Sequence, residues 1–167
     1  MSGKIYQYLA DDHARLDNLL QRAASRPDTI EPLAYAQFRA GLLKHIAMEE
    51  KILLPAAQKA RGGEPLSIAA KLRLHHGALA ALLVPSPTHG IAAAIRAILG
   101  EHNPFEEGPG GVYEVCETLA GSEADTLLAQ LQSTSEVKVA PHNDGPLVME
   151  VARRALTRAG YNLEDYT

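Results

Sequence analysis

His45 and Glu49 stand four residues apart in His45-Ile46-Ala47-Met48-Glu49, and the same spacing recurs in His102-Asn103-Pro104-Phe105-Glu106. On a helix, residues i and i+4 share a face, so each pair can aim an imidazole nitrogen and a carboxylate oxygen at one metal ion. A further histidine, His13 or His76, precedes each pair within a helical pattern. Seven histidines in 167 residues are the feature of the composition that calls for explanation. Two copies of one half-site account for four of them.

Aligning the chain with itself exposes the repeat. Leu9, His13, Leu16, Leu19 and Leu20 match Leu72, His76, Leu79, Leu82 and Leu83 at an offset of 63. Phe38, Arg39, Ala40, Leu42, His45, Glu49 and Glu50 match Ile95, Arg96, Ala97, Leu99, His102, Glu106 and Glu107 at an offset of 57. The difference falls in the loops between paired helices, where changes of length are tolerated. The alignment also chooses within the His75-His76 pair. His76 is the counterpart of His13, whereas His75 aligns with Asp12 and is assigned beside the site or at the surface.

Two carboxylates and four imidazoles inside a leucine-rich bundle are unfavourable unless their charge is compensated. A pair of divalent or trivalent metal ions compensates it, with His13, His45, Glu49, His76, His102 and Glu106 as candidate ligands. A nitrogen and oxygen set without thiolate suits iron, manganese or zinc and does not choose among them. No catalytic residue and no organic-cofactor motif is assigned. Glu50 and Glu107 follow the candidate glutamates directly and turn about 100° away. They are assigned to solvated surface, with hydrogen bonding to a ligand histidine as the alternative. His89 and His142, among Pro, Gly and Asn neighbours, are assigned to surface loops. Tyr6, Tyr35 and Tyr113 are assigned to core packing, with a hydrogen bond or an open coordination position at the site as the alternative. Cys116 is the single cysteine, so no intramolecular disulfide forms, and it is expected to be buried and unreactive.

The elements that must position these residues are helices. Ala and Leu are abundant, Trp is absent and aromatic residues make up 5%, which points to an all-α fold. Helical spacing of Leu9, His13, Leu16 and Leu20 predicts a first helix from Lys4 to about Ser25, broken at Pro27. Glu31-Pro32 opens a second that carries Phe38, Leu42, His45, Glu49 and Leu53, bends or tightens at Pro55 and ends at Gly62-Gly63. A third runs from near Pro65 to about Val84, and a fourth from His89 through Glu106 to the break at Gly108. Val112 to Leu119 resumes as a helical turn or two. Ser122, with Glu123 and Asp125 behind it, reads as the N-cap of another helix, and Pro146 to Ala159 as a final amphipathic one.

A formal net charge of -4 and a pI near 6.0, with no long basic run, argue against nucleic acid and anionic membrane surfaces as partners. No apolar stretch approaches the roughly 20 residues that span a bilayer. The start, Met1-Ser2-Gly3-Lys4, leads into a mixed polar pattern without an apolar signal core, so the expected compartment is cytoplasmic.

The set His13, His45-x-x-x-Glu49, His76, His102-x-x-x-Glu106 resembles the duplicated pattern of the hemerythrin-like family, the HHE cation-binding domains, over roughly residues 4–120. That resemblance implies an up-down-up-down four-helix bundle around a non-haem diiron centre: two iron ions, oxo- or hydroxo-bridged, with zinc or manganese as alternatives. His13 and His45 would serve one ion, His76 and His102 the other, and Glu49 and Glu106 would bridge. Ferritin-like bundles match less well, because they place glutamate before histidine at three-residue spacing. Oxygen-carrying hemerythrins have an extra histidine where this chain has Leu72, and an aspartate five residues after the last histidine where this chain has Glu106 at four. The symmetric set is more similar to bacterial iron–sulfur-cluster repair proteins, although the single cysteine keeps their cysteine-bearing N-terminal domain outside the resemblance. The expected organisation is a bundle with a dinuclear site in residues 1–120 and a C-terminal helical extension packed on it in residues 121–167. The expected function is binding or reacting with a small diatomic or peroxide ligand (oxygen, nitric oxide or peroxide) in sensing, detoxification or iron handling, as a monomer or homodimer, with turnover left open. An iron-donating or structural metal-binding module, and a metal-free helical interaction protein, are the alternative expectations.

Overall fold

A computed structural model describes residues 2–167, which fold into helices with no strand among them. The bundle is formed by α1 (Lys4–Ala23), α2 (Pro32–Met48), α4 (Ala69–Leu82) and α5 (His89–Glu107). The order of buried residues along each helix shows why they alternate in direction. Ile5 and Leu9 of α1 enter a lower apolar cluster, and Leu16, Leu19 and Leu20 an upper one. In α2 the upper residues come first, Tyr35, Phe38 and Leu42, and the lower Met48 last. In α4 the order is again Leu72 below, then Leu79 and Leu82 above, while α5 begins with upper Ile91, Ile95 and Ile98. In all four, the histidine lies where one cluster gives way to the other. The fold is therefore an up-down-up-down bundle in which a polar layer separates two apolar layers.

Local chemistry fixes the boundaries. The Glu31 carboxylate accepts from the Leu33 and Ala34 amides at the start of α2, with Pro32 in the first turn. At its far end α2 continues through a π-helical turn, Glu49–Leu53, into α3 (Leu54–Ala60). Pro55 has no N–H for the Lys51 carbonyl, and its ring crowds that oxygen, so the rod widens instead of tightening. Thr88 caps α5 by accepting from the Ile91 amide, which makes His89 the first residue of a helix, not a loop residue. The third helix begins later than Pro65 suggests, because Leu66 to Ala69 first closes a separate turn.

A tight turn after α5 brings α6 (Val112–Ala120) back beneath the polar layer, against α1, α3 and α5. A Cβ on Gly111 would lie 2.6 Å from the Glu106 carbonyl oxygen, so only glycine fits where the chain reverses. Ser122 falls in a short 3-10 turn, Gly121–Glu123, and does not cap α7 (Ala124–Gln132) as its neighbours suggest. Leu127 and Leu131 of α7 join the lower cluster, while Ala152, Ala155 and Leu156 of α8 (Pro146–Ala159) extend the upper one against α4. Leu131→Ala removes a fully buried side chain from the cluster that floors the polar layer. It should destabilise the whole chain by about 3 kcal/mol in urea unfolding; a loss below about 0.5 kcal/mol, the level of a surface substitution, would show α7 to be undocked.

Candidate metal centre

The six candidate residues come together in the polar layer, all buried. His13, His45, Glu49 and Glu106 form one group whose donor atoms lie within 4.8 Å of one another, and Glu49, His76, His102 and Glu106 form a second. The two groups share both glutamates. Glu49 Oε1 lies 3.0 Å from His45 Nε2 and Oε2 3.0 Å from His76 Nε2. Glu106 mirrors it, with Oε2 3.2 Å from His13 Nε2 and Oε1 2.9 Å from His102 Nε2. Each carboxylate thus turns one oxygen to each histidine pair. Leu72, fully buried in the lower cluster, brings no further donor.

Each imidazole is held from behind through Nδ1. The partners are Asp12 for His45 at 2.8 Å, Glu107 for His13 at 3.1 Å, Glu50 for His76 at 2.7 Å and His75 for His102 at 3.2 Å. These four partners obey the same repeat as the six candidate residues, since Asp12 corresponds to His75 and Glu50 to Glu107. Glu50 and Glu107 are therefore not idle surface charge. They turn away from their own helix's stripe and meet the histidine of a neighbouring helix. Three carboxylate acceptors require Nδ1–H on His13, His45 and His76, which leaves the Nε2 lone pairs facing inward. His76 Nε2 and His102 Nε2 then face each other at 3.2 Å, and Glu49 Oε2 has no aligned hydrogen-bond donor among the described residues. Converging lone pairs and buried anionic oxygens of this kind suit cations, and the donor set fits metal ions.

The description hemerythrin HHE cation-binding domain matches residues 4–144. The chain belongs to the hemerythrin HHE family. No curated protein and no solved structure matches it. Within this HHE fold the remaining histidines stay apart from the centre: His89 Nε2 donates to the Thr29 carbonyl and His142 is exposed beside the Val84 carbonyl. Cys116 is buried below the layer, and burial with the nearby Glu49 and Glu106 charges pushes its thiol up to about 12.

Tyr113 of α6 departs from the packing role assigned to it. Its hydroxyl donates to Glu49 Oε1 at 2.6 Å and lies 3.0 Å from His13 Nε2, 3.1 Å from His45 Nε2 and 3.1 Å from Glu106 Oε2. Of the other two tyrosines, Tyr6 donates to the Glu107 carbonyl and Tyr35 packs in the upper cluster. Neither Asp12 nor Tyr113 stands out from helical spacing. For Asp12 a signal existed, namely its equivalence to His75 in the repeat.

A groove of about 410 Å³ runs between α1 and α5, with His13, Asn103 and Glu107 among its lining residues. No helix of the described residues is long and apolar enough to cross a membrane.

The carboxylates raise the proton affinity of the histidines between them. Burial disfavours the His45 imidazolium, but Glu49 and Asp12 outweigh it and raise the group to about 10; Glu49 and Glu50 likewise raise His76 to about 9. Burial raises Glu49, and His45 and His76 more than reverse this, leaving it well below its ordinary 4.5. The raised histidines contribute stability that is complete below about pH 6.5 and is lost as pH rises through 9 and 10. The lowered glutamate contributes above about pH 4.5 and is lost as pH falls further. The melting temperature of metal-depleted protein should therefore fall between pH 6.5 and 9. Metal-loaded protein, whose ligands have already released those protons, should gain on it over the same range. A flat profile for metal-depleted protein would contradict this charge balance.

Proposed function

We propose that this HHE domain is a non-haem diiron protein. His13 and His45 hold one iron, His76 and His102 the other, and Glu49 and Glu106 bridge them. The observation that carries this reading is the sharing of both buried glutamates between two histidine pairs, one oxygen to each pair. The backing residues Asp12, Glu50 and Glu107 orient the imidazoles, fix their tautomers and raise their basicity. A bound iron pair supplies one-electron redox chemistry and an exchangeable position for a small ligand.

The ligand we propose is a diatomic molecule or a peroxide, in sensing, detoxification or iron handling. Support comes from the scale of the route: the groove between α1 and α5 reaches His13, while the polar layer itself is buried among side chains. In the cytoplasmic setting proposed here, residues 1–120 form the functional bundle and residues 121–167 an extension that closes its two apolar layers.

A structural role is the second reading, and one observation favours it. The six residues come from α1, α2, α4, α5 and the π-helical turn, so metal would tie every helix of the bundle together. Anaerobic reconstitution with ferrous iron separates the two. The diiron reading predicts two irons per chain and an optical spectrum that changes on adding oxygen, nitric oxide or peroxide. Two irons with a spectrum indifferent to all three would leave only the clamp, and a chain that binds no iron would overturn the diiron reading.

A further inference from the structure

Tyr113 is bound up with one half of the centre only. Its hydroxyl oxygen touches four donor atoms, and all four belong to the group of His13, His45, Glu49 and Glu106. His76 and His102 are not among its partners. The side chain is fully buried, so its hydroxyl has no water to turn to. The ring is fixed between Tyr6, which meets it edge-on at 6.2 Å between centroids, and the His13 imidazole at 5.5 Å.

The four distances have a geometric meaning. Nitrogen and oxygen ligands sit about 2.1 Å from a first-row metal ion, so two ligands at right angles on an octahedron are about 3.0 Å apart. Tyr113 Oη lies 2.6 to 3.1 Å from all four donors. Among these donors, His45 Nε2 and Glu49 Oε1 are 3.0 Å apart, and His13 Nε2 and Glu106 Oε2 are 3.2 Å apart. An oxygen within 2.6 to 3.1 Å of all four donors stands at the separation expected between neighbouring ligands of one ion. A tyrosine that only filled space, or satisfied one carboxylate, would have no reason to stand at hydrogen-bond distance from two imidazoles and two carboxylates together.

We infer that Tyr113 is a ligand of the iron held by His13 and His45, as a phenolate completing its coordination. This rests on the diiron reading. As the iron–oxygen bond forms, the hydroxyl O–H bond breaks and its proton leaves to solvent; no electron moves. A phenolate is a hard anionic oxygen donor and favours ferric over ferrous iron, so the two irons are inequivalent. The Tyr113 side is the one that resists reduction.

A ferric iron bound by phenolate absorbs visible light by charge transfer from the ring, and excitation into that band enhances tyrosine ring vibrations. The test is visible absorption and resonance Raman spectroscopy of the ferric-loaded full chain and its Tyr113→Phe variant, each with iron content measured. Expected are two irons per chain in the wild type, a visible band with enhanced ring modes, and loss of both signals in the variant while the other tyrosines remain. Two bound irons without the band, or a band that survives in Tyr113→Phe, would overturn the assignment of Tyr113 and leave the diiron reading standing. No bound iron would overturn both. Should the variant not fold, absence of ring modes in the wild type would still overturn the assignment, and their presence would support it through the placement of the Tyr113 hydroxyl against these donors.

Discussion

Two carboxylates buried side by side in an apolar interior set the terms for everything else in this chain. Glu49 and Glu106 are each about 1% exposed, and anions so placed are tolerated only with compensating positive charge and hydrogen bonds. Four imidazoles surround them, each presenting Nε2 inward. Metal or protons must then occupy the space between, and the raised proton affinities of His45 and His76 measure how strongly the carboxylates call for a cation. The two apolar layers above and below exclude water and so make the demand stricter, since a low dielectric strengthens both attraction and desolvation.

The repeat makes the two halves of the centre nearly alike, which draws attention to where they differ. His13, His45 and His76 are each backed by a carboxylate, whereas His102 is backed by the neutral His75, whose proton affinity burial and His102 hold down. Tyr113 adds a second difference and stands on the opposite half. Both point the same way: the His13 and His45 side is richer in anionic oxygen, and the His76 and His102 side is poorer. The two histidine pairs related by the repeat are thereby given unequal electronic surroundings.

How much of this could be read from the sequence depends on the range of the signal. Histidine and glutamate four residues apart lie on one helical face whatever surrounds the helix, and the repeat adds His13 and His76, so the burial of these six residues in one layer and the all-α class were legible. The roles of Glu50 and Glu107 were not. Facing away from the stripe of one helix says nothing about facing the histidine of the next, and that depends on how α5 lies beside α1 and α2 beside α4. Tyr113 was still less accessible, because its position follows from the reversal at Gly111, where the crowding of the Glu106 carbonyl fixes the path of the chain. Pro55 announced a disturbance in its helix, but that the rod widens rather than bends was not legible; the π-helical turn begins and ends on buried residues, Glu49 and Leu53.

The most direct test of the shared-carboxylate account is to locate the metal. Anomalous diffraction at the iron edge, from crystals of iron-loaded protein, should show two peaks about 3.5–4 Å apart. One should lie within reach of His13 and His45, the other within reach of His76 and His102, with Glu49 and Glu106 spanning both. A single peak, or iron lodged outside these six residues, would contradict it.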